Sequence, residues 1–220
     1  FKLNQLFNDK FNVINAGVGG WGTLQSLIRF MSWGPFFKPR LTVIYLSKND
    51  LTPLYNGRNS EDEIFLQYEN IMVQYGLKNP YSFRSIFSRS GGGLAHVYTD
   101  KINPSPKGLL RFDQNLFNQS KSRYEMFSKI SEMWGGKILF LTELIDRSSP
   151  YYEQMEILHK IMEDVSDKYR NSYFVNLYDI FTVKHESFLD KIHFSELGCD
   201  DFSKILYALC TKHIEFNSDL

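Results

Sequence analysis

The chain predicts an α/β protein built on a parallel sheet, and three observations carry that expectation. Apolar runs of strand length alternate with amphipathic stretches of helical period. The run at 41–46 (LTVIYL) is apolar almost throughout, as a strand covered on both faces must be. Polar or glycine-rich clusters follow the strand runs, where α/β sheets bind their ligands. A chain of 220 residues suits one domain whose core needs no disulfide or metal staple. Its 43% hydrophobic content excludes wholesale disorder, and 16% aromatic residues point to a ring-rich core or a lined cleft. Equal numbers of acidic and basic residues (25 each) lack the basic footprint of a general nucleic-acid binder. No apolar run approaches about 18 residues, so no membrane span is expected.

Taken in order, residues 12–16 (NVINA) read as a first short strand, followed by the glycine cluster Gly17, Gly19, Gly20 and Gly22. Leu24, Leu27, Ile28 and Met31 recur at helical spacing, giving a helix over about 23–33 that Gly34-Pro35 should stop. After the strand 41–46 comes the polar cluster Ser47-Lys48-Asn49-Asp50. Ser60 and Glu63 fit a capping box opening a helix to about Tyr75, and the Gly/Pro-rich stretch 79–108 reads as a long loop. A second amphipathic helix, about 113–134, ends this excursion. Regular alternation then resumes, with strand 137–142, helix 151–169, strand 172–177 and, after a loop over 178–194, a last helix 196–212. Phe202, Ile205, Leu206, Leu209 and His213 share one face of that helix. Cys199 and Cys210 lie about 16 Å apart along it, too far for a disulfide, and are expected as buried small hydrophobes.

Three constellations carry candidate chemistry. Asp190 and His193 stand three residues apart before the last helix, where a carboxylate on Nδ1 would fix an imidazole that moves protons through Nε2. The same pair is equally the exposed lead-in to a Ser195 N-cap. Gly17, Gly19 and Gly22 satisfy G-x-G-x-x-G, a dinucleotide fingerprint. In that reading Asp50 is the next acid after a strand, 28 residues beyond Gly22. A tight glycine turn also donates backbone N–H groups to an oxyanion, or simply lets a helix pack close to a sheet. Asn49 at a strand end is a good oxyanion donor, although by itself an Asx turn ending a strand is the commoner use of Asn-Asp. The histidines His96, His159, His185 and His213 show no ligand spacing with Cys or acids, so no metal or cofactor is expected.

In this order the three segments resemble the SGNH (GDSL-like) hydrolase superfamily. The matching residues are Asn15 to Gly20, Ser47-Lys48-Asn49-Asp50, and Asp190 to His193 extended through Phe194, Ser195 and Gly198. Ser47 stands where that superfamily usually has Gly. The resemblance implies one domain over 1–220 with an insertion at about 51–135, and a three-layer flavodoxin-like sheet of order 2-1-3-4-5. It also implies a serine ester hydrolase (an acyl or acetyl esterase) acting on small-molecule, carbohydrate or lipid esters. His193 would be the base, Asp190 its orienting acid, and Gly20 N–H and Asn49 Nδ2 the oxyanion donors.

The resemblance further implies a serine in a Gly-Asp-Ser turn after the first strand. The fourteen residues before Asn15 contain no Ser, and Ser88 and Ser90 follow no strand. That first strand is central in the 2-1-3-4-5 order. Its absence would leave two apolar strands facing a gap, whose unpaired backbone groups cost about 1–3 kcal/mol each when kept from water. An additional polypeptide segment bearing the strand and the serine is therefore expected. Two other classes stay open: a catalytically inactive SGNH-like carbohydrate- or partner-binding module, and an NAD-binding Rossmann-type protein using Gly17, Gly19 and Gly22.

Overall fold

The computed structural model describes residues 2–8, 10–18, 21–55, 114–145, 147, 149, 151–182, 184–189 and 193–214. In chain order the elements are α1 (Lys2–Phe7), α2 (Thr23–Phe37), β1 (Leu41–Ile44), α3 (Lys48–Tyr55), α4 (Gln114–Glu132), β2 (Lys137–Leu141), α5 (Tyr152–Lys168), β3 (Ser172–Val175) and α6 (Glu196–His213). Two short 3-10 turns, Leu177–Asp179 and His185–Ser187, lie between β3 and α6. The three strands are parallel in the order β1-β2-β3, with Ile44 opposite Phe140 and Phe140 opposite Phe174. The chain is thus a mixed α/β protein on a three-stranded parallel sheet.

Side-chain alternation along β2 decides which helices cover which face. Ile138 and Phe140 point to one side, where Leu27 and Phe30 of α2, Tyr124 and Phe127 of α4, and Met162 and Val165 of α5 pack on them. Leu139 and Leu141 point to the other, against Phe202, Ile205, Leu206 and Leu209 of α6. These β2 residues are fully buried, and each such side chain stabilises the fold by about 1.5–3 kcal/mol. The apolar stripe expected on the last helix is the one that meets the sheet, and the His213 ring at its end packs tilted against Tyr173, ring centroids 4.4 Å apart. Helix α1 docks on α6 through Phe7 against Tyr207, ring centroids 4.9 Å apart, and through the Lys2–Asp200 ion pair.

Several expectations need correction. Residues 12–16 form no strand: they run without ladder pairing, and Val13 and Ile14 stay exposed. Among the described residues β1 has a neighbouring strand on one side only, and residues 12–16 do not pair with it. Helix α2 runs past Gly34-Pro35 to Phe37 and is ended by Lys38 in the left-handed region (φ 44°), whose N–H bonds Gly34 O. Pro35 removes one N–H in the last turn, where the loss is small, and Gly34 serves packing. A Cβ there would come within 2.8 Å of the Trp134 ring. Of the apolar residues expected inside, Leu27 is buried, whereas Ile28 and Met31 lie exposed. Cys199 is exposed, because Gly198 and not Cys199 faces inward at the start of α6; Cys210 is buried, and neither forms a disulfide.

Helix α4 falls within the stretch read as an insertion, yet Leu116, Phe117, Tyr124 and Phe127 are buried in the core. The helix expected over 60–75, the loop over 79–108 and their aromatic residues lie outside the described residues. Among the described residues no helix is long and apolar enough to cross a membrane.

Candidate functional site

The carboxyl ends of β1 and β2 gather the polar groups. Beyond Ile44 the chain passes through Tyr45 and Leu46 to Ser47, and α3 starts at Lys48, so Asn49 and Asp50 sit in a first helical turn and not in a loop. Asn49 Nδ2 donates to Trp21 O at 3.0 Å. Asp50 is fully buried, and its Oδ1 accepts from Thr23 N at 2.7 Å. A carboxylate there meets the unsatisfied N–H groups and positive dipole end of α2. Gln25 Oε1 accepts from Gly22 N (3.2 Å), and Arg123 Nη1 donates to Thr23 Oγ1 (3.3 Å). On the incoming side Asn15 Oδ1 takes Gly17 N–H at 3.0 Å, and Trp21 N–H donates to Val18 O at 3.2 Å. Two motifs 27 residues apart thus meet: the Asn-Asp pair clamps the glycine turn.

His193 lies on a separate structure after β3. Its carbonyl accepts from Leu189 N at 2.7 Å, next to an antiparallel bridge between Phe188 and Phe194. Phe194 anchors this hairpin by stacking on Phe202 of α6, ring centroids 5.2 Å apart. His193 itself is exposed. Ser195 is the α6 N-cap, as its position in the sequence suggests: its Oγ accepts from Gly198 N at 3.2 Å and donates to Glu186 O. A Cβ at Gly198 would fall 2.0 Å from Ser187 O, so the hairpin and the helix approach as closely as only Gly permits. Gly20 and Asp190 lie outside the described residues.

Sequence reasoning missed a buried polar network just behind Asn49. Three successive N–H groups after β2 donate to side chains: Glu143 N to His159 Nε2 (3.2 Å), Leu144 N to Tyr45 Oη (3.0 Å) and Ile145 N to Tyr178 Oη (2.9 Å). The Glu143 carboxylate turns inward and accepts from Ser47 N and Lys48 N, each at 2.8 Å, and lies 3.2 Å from Ser47 Oγ. Burial raises the Glu143 carboxyl above the ordinary glutamate range, against the pull of the Lys48 and Ser47 donors. Burial pushes the His159 imidazole down to about 4, so it is neutral at pH 7. Burial likewise raises the Tyr178 phenol to about 12 and Tyr45 further, which keeps both hydroxyls neutral. The signals were a polar residue at a strand's carboxyl end (Glu143) and a histidine inside the stripe of Met155, Leu158 and Met162.

Ser47 Oγ lies 3.3 Å from His159 Nε2, the reach of a nucleophile and its base. Two facts make this pair structural. The Nε2 lone pair already accepts Glu143 N–H, which puts the proton on Nδ1, and Ser47 is 2% exposed, closed to a substrate. Its hydroxyl proton therefore points to Glu143. Among the described residues no group of three His, Cys, Asp or Glu is arranged to hold a metal ion. No family model matches the chain, and no curated protein matches it.

Proposed function

We propose that this chain carries most of the site of a serine ester hydrolase of the SGNH type. The observation behind this reading is the clamp between Asn49-Asp50 and the glycine turn at the sheet's carboxyl edge. A carboxamide has two N–H donors. The bond to Trp21 O orients the Asn49 amide beside the turn and leaves its second N–H to meet an oxyanion, together with Gly20 N–H. Asp190 orients His193, which takes the proton of a serine hydroxyl as that oxygen attacks the ester carbonyl. The imidazolium then protonates the leaving alcohol, and water releases the acyl group by the reverse sequence.

The serine comes from an additional polypeptide segment laid along the side of β1 away from β2. Two features support this: the pairing of β1 on one side only among the described residues, and the exposed apolar residues Val13, Ile14, Ile28 and Met31. The strand order β1-β2-β3 then supplies the last three places of the order 2-1-3-4-5. The dinucleotide reading is weakened by Asp50, whose buried carboxylate is spent on Thr23 N–H and closed to a ribose.

The test is hydrolysis of p-nitrophenyl acetate by the complete protein. His193→Ala is expected to abolish turnover, and Asn49→Ala to lower kcat by about 10²–10³. Near-normal turnover in His193→Ala overturns the assignment.

A further inference from the structure

The network behind Asn49 links three segments of the chain. Its outer members, His159 on α5, Tyr45 just after β1 and Tyr178 just after β3, hold three consecutive N–H groups of the segment after β2. That segment presents one carboxylate, Glu143, and the carboxylate grips the two N–H groups where α3 begins. Asn49 is the next residue, and its amide reaches across to Trp21 O. Ser47 adds a hydroxyl that a glycine at this place would lack, 3.2 Å from the same carboxylate oxygen. Together these bonds join the segment after β2, the start of α3 and the glycine turn into one connected path.

We propose that Glu143 is a positioning residue: its carboxylate, held by the segment after β2 and locked by Ser47, fixes the start of α3 so that Asn49 Nδ2 is aimed at the glycine turn. The role in catalysis rests on the ester-hydrolase reading; the placement of Asn49 does not. Glu143 touches no reacting atom. A first helical turn has N–H groups with no partner in their own helix. Without a fixed acceptor for Ser47 and Lys48, that turn frays and the Asn49 amide samples other directions. Orientation of a donor is worth little to substrate binding and much to the transition state, so its loss acts on kcat.

The experiment has two arms on the complete protein. In the first, ¹⁵N–¹H spectra follow the Asn49 side-chain amide, identified by its loss in Asn49→Ala. Glu143→Ala is expected to move this signal toward the free-amide position and speed its hydrogen exchange at least about tenfold, because the donor is released. Glu143→Gln, which keeps an acceptor oxygen, is expected to retain the signal. Glu143→Asp, with a reach shorter by one carbon, gives the intermediate shift and serves in place of Glu143→Ala if that variant does not fold. Backbone amides of β2 and β3 report folding in each sample. An Asn49 signal unmoved in a folded Glu143→Ala or Glu143→Asp protein overturns the proposal. In the second arm, p-nitrophenyl acetate turnover is expected to fall about 10²-fold in kcat with KM unchanged in Glu143→Ala, with recovery in Glu143→Gln. Absence of any esterase activity in the wild type removes the ester-hydrolase reading alone, and the Asn49 signal still decides the positioning role. A folded Glu143→Ala protein whose KM rises while kcat holds overturns the catalytic part.

Discussion

Strands β1 and β2 are built from the same kind of sequence, LTVI against KILFL, and sit side by side in register. Yet Ile138 through Leu141 are fully buried, whereas of β1 only Ile44 is. The difference lies in neighbours. Strand β2 has a strand on each side and helices on both faces; β1 has one strand partner among the described residues. Exposed apolar residues, among them Val13, Ile14, Ile28 and Met31, lie in the chain ahead of β1. Among the described residues β2 is enclosed by strands on both sides, whereas β1 is paired on one side and shapes the turn at its carboxyl end. The polar groups of the candidate site gather at the carboxyl ends of these two strands.

The sharpest way to break that contrast is truncation in each strand. Phe140→Ala is expected to cost about 3–5 kcal/mol in urea unfolding, the usual range for a buried aromatic. Val43→Ala, half-buried in β1, is expected to cost about 1 kcal/mol. Equal losses would mean that β1 is as enclosed as β2.

A pH series sharpens the same contrast from the site side. The His159 imidazole has its folded-state value depressed to about 4 from 6.5, so the unfolded chain takes up the proton first. Its contribution to stability is complete above pH 6.5 and falls as pH drops toward 4, by about 1.4 kcal/mol per unit and about 3 kcal/mol in all. The raised Glu143 carboxyl acts in the opposite sense: its burial penalty grows as pH rises through its folded value and eases on acidification. Urea midpoints of His159→Gln between pH 7 and 4 are expected to fall less than those of the wild type. Parallel curves for the two proteins would contradict the buried neutral imidazole.

Gly198→Ala comes next, at about 1–3 kcal/mol, because the added methyl meets the Ser187 carbonyl and must push α6 from the hairpin. Chemical shifts of Phe194 and Phe202 are expected to move together in this variant; an unchanged melting midpoint would refute the close approach. The smallest effect belongs to the exposed Lys160 with Glu163 and Asp164. Lys160→Ala is expected to leave the unfolding midpoint within error, since exposed pairs are screened by solvent.

How far this was readable from the sequence follows the same division. The α/β class, the three later strands, the buried stripe of α6 and the Ser195 cap were legible, because period and capping chemistry are local. Residues 12–16 misled, since a strand exists only with a partner and the sequence shows the strand pattern but not the ladder. The helix over about 113–134 was legible from its period, but its packing on α2 and α5 is a tertiary fact that no local pattern carries. At the candidate site Asn49 was legible as a strand-end amide, but its partner Trp21 O was not, and neither was Glu143 as an acceptor for α3. Those bonds join residues 28 and about 95 positions apart, beyond any local pattern.

The most direct test of the central reading is fluorophosphonate labelling of the complete protein, with the modified residue mapped by mass spectrometry. A serine ester hydrolase of this design is expected to take up one label per molecule on a serine of the additional segment, and His193→Ala is expected to lose it. Labelling that is absent from the wild type, that falls on Ser47, Ser88 or Ser90, or that survives in His193→Ala would contradict the account.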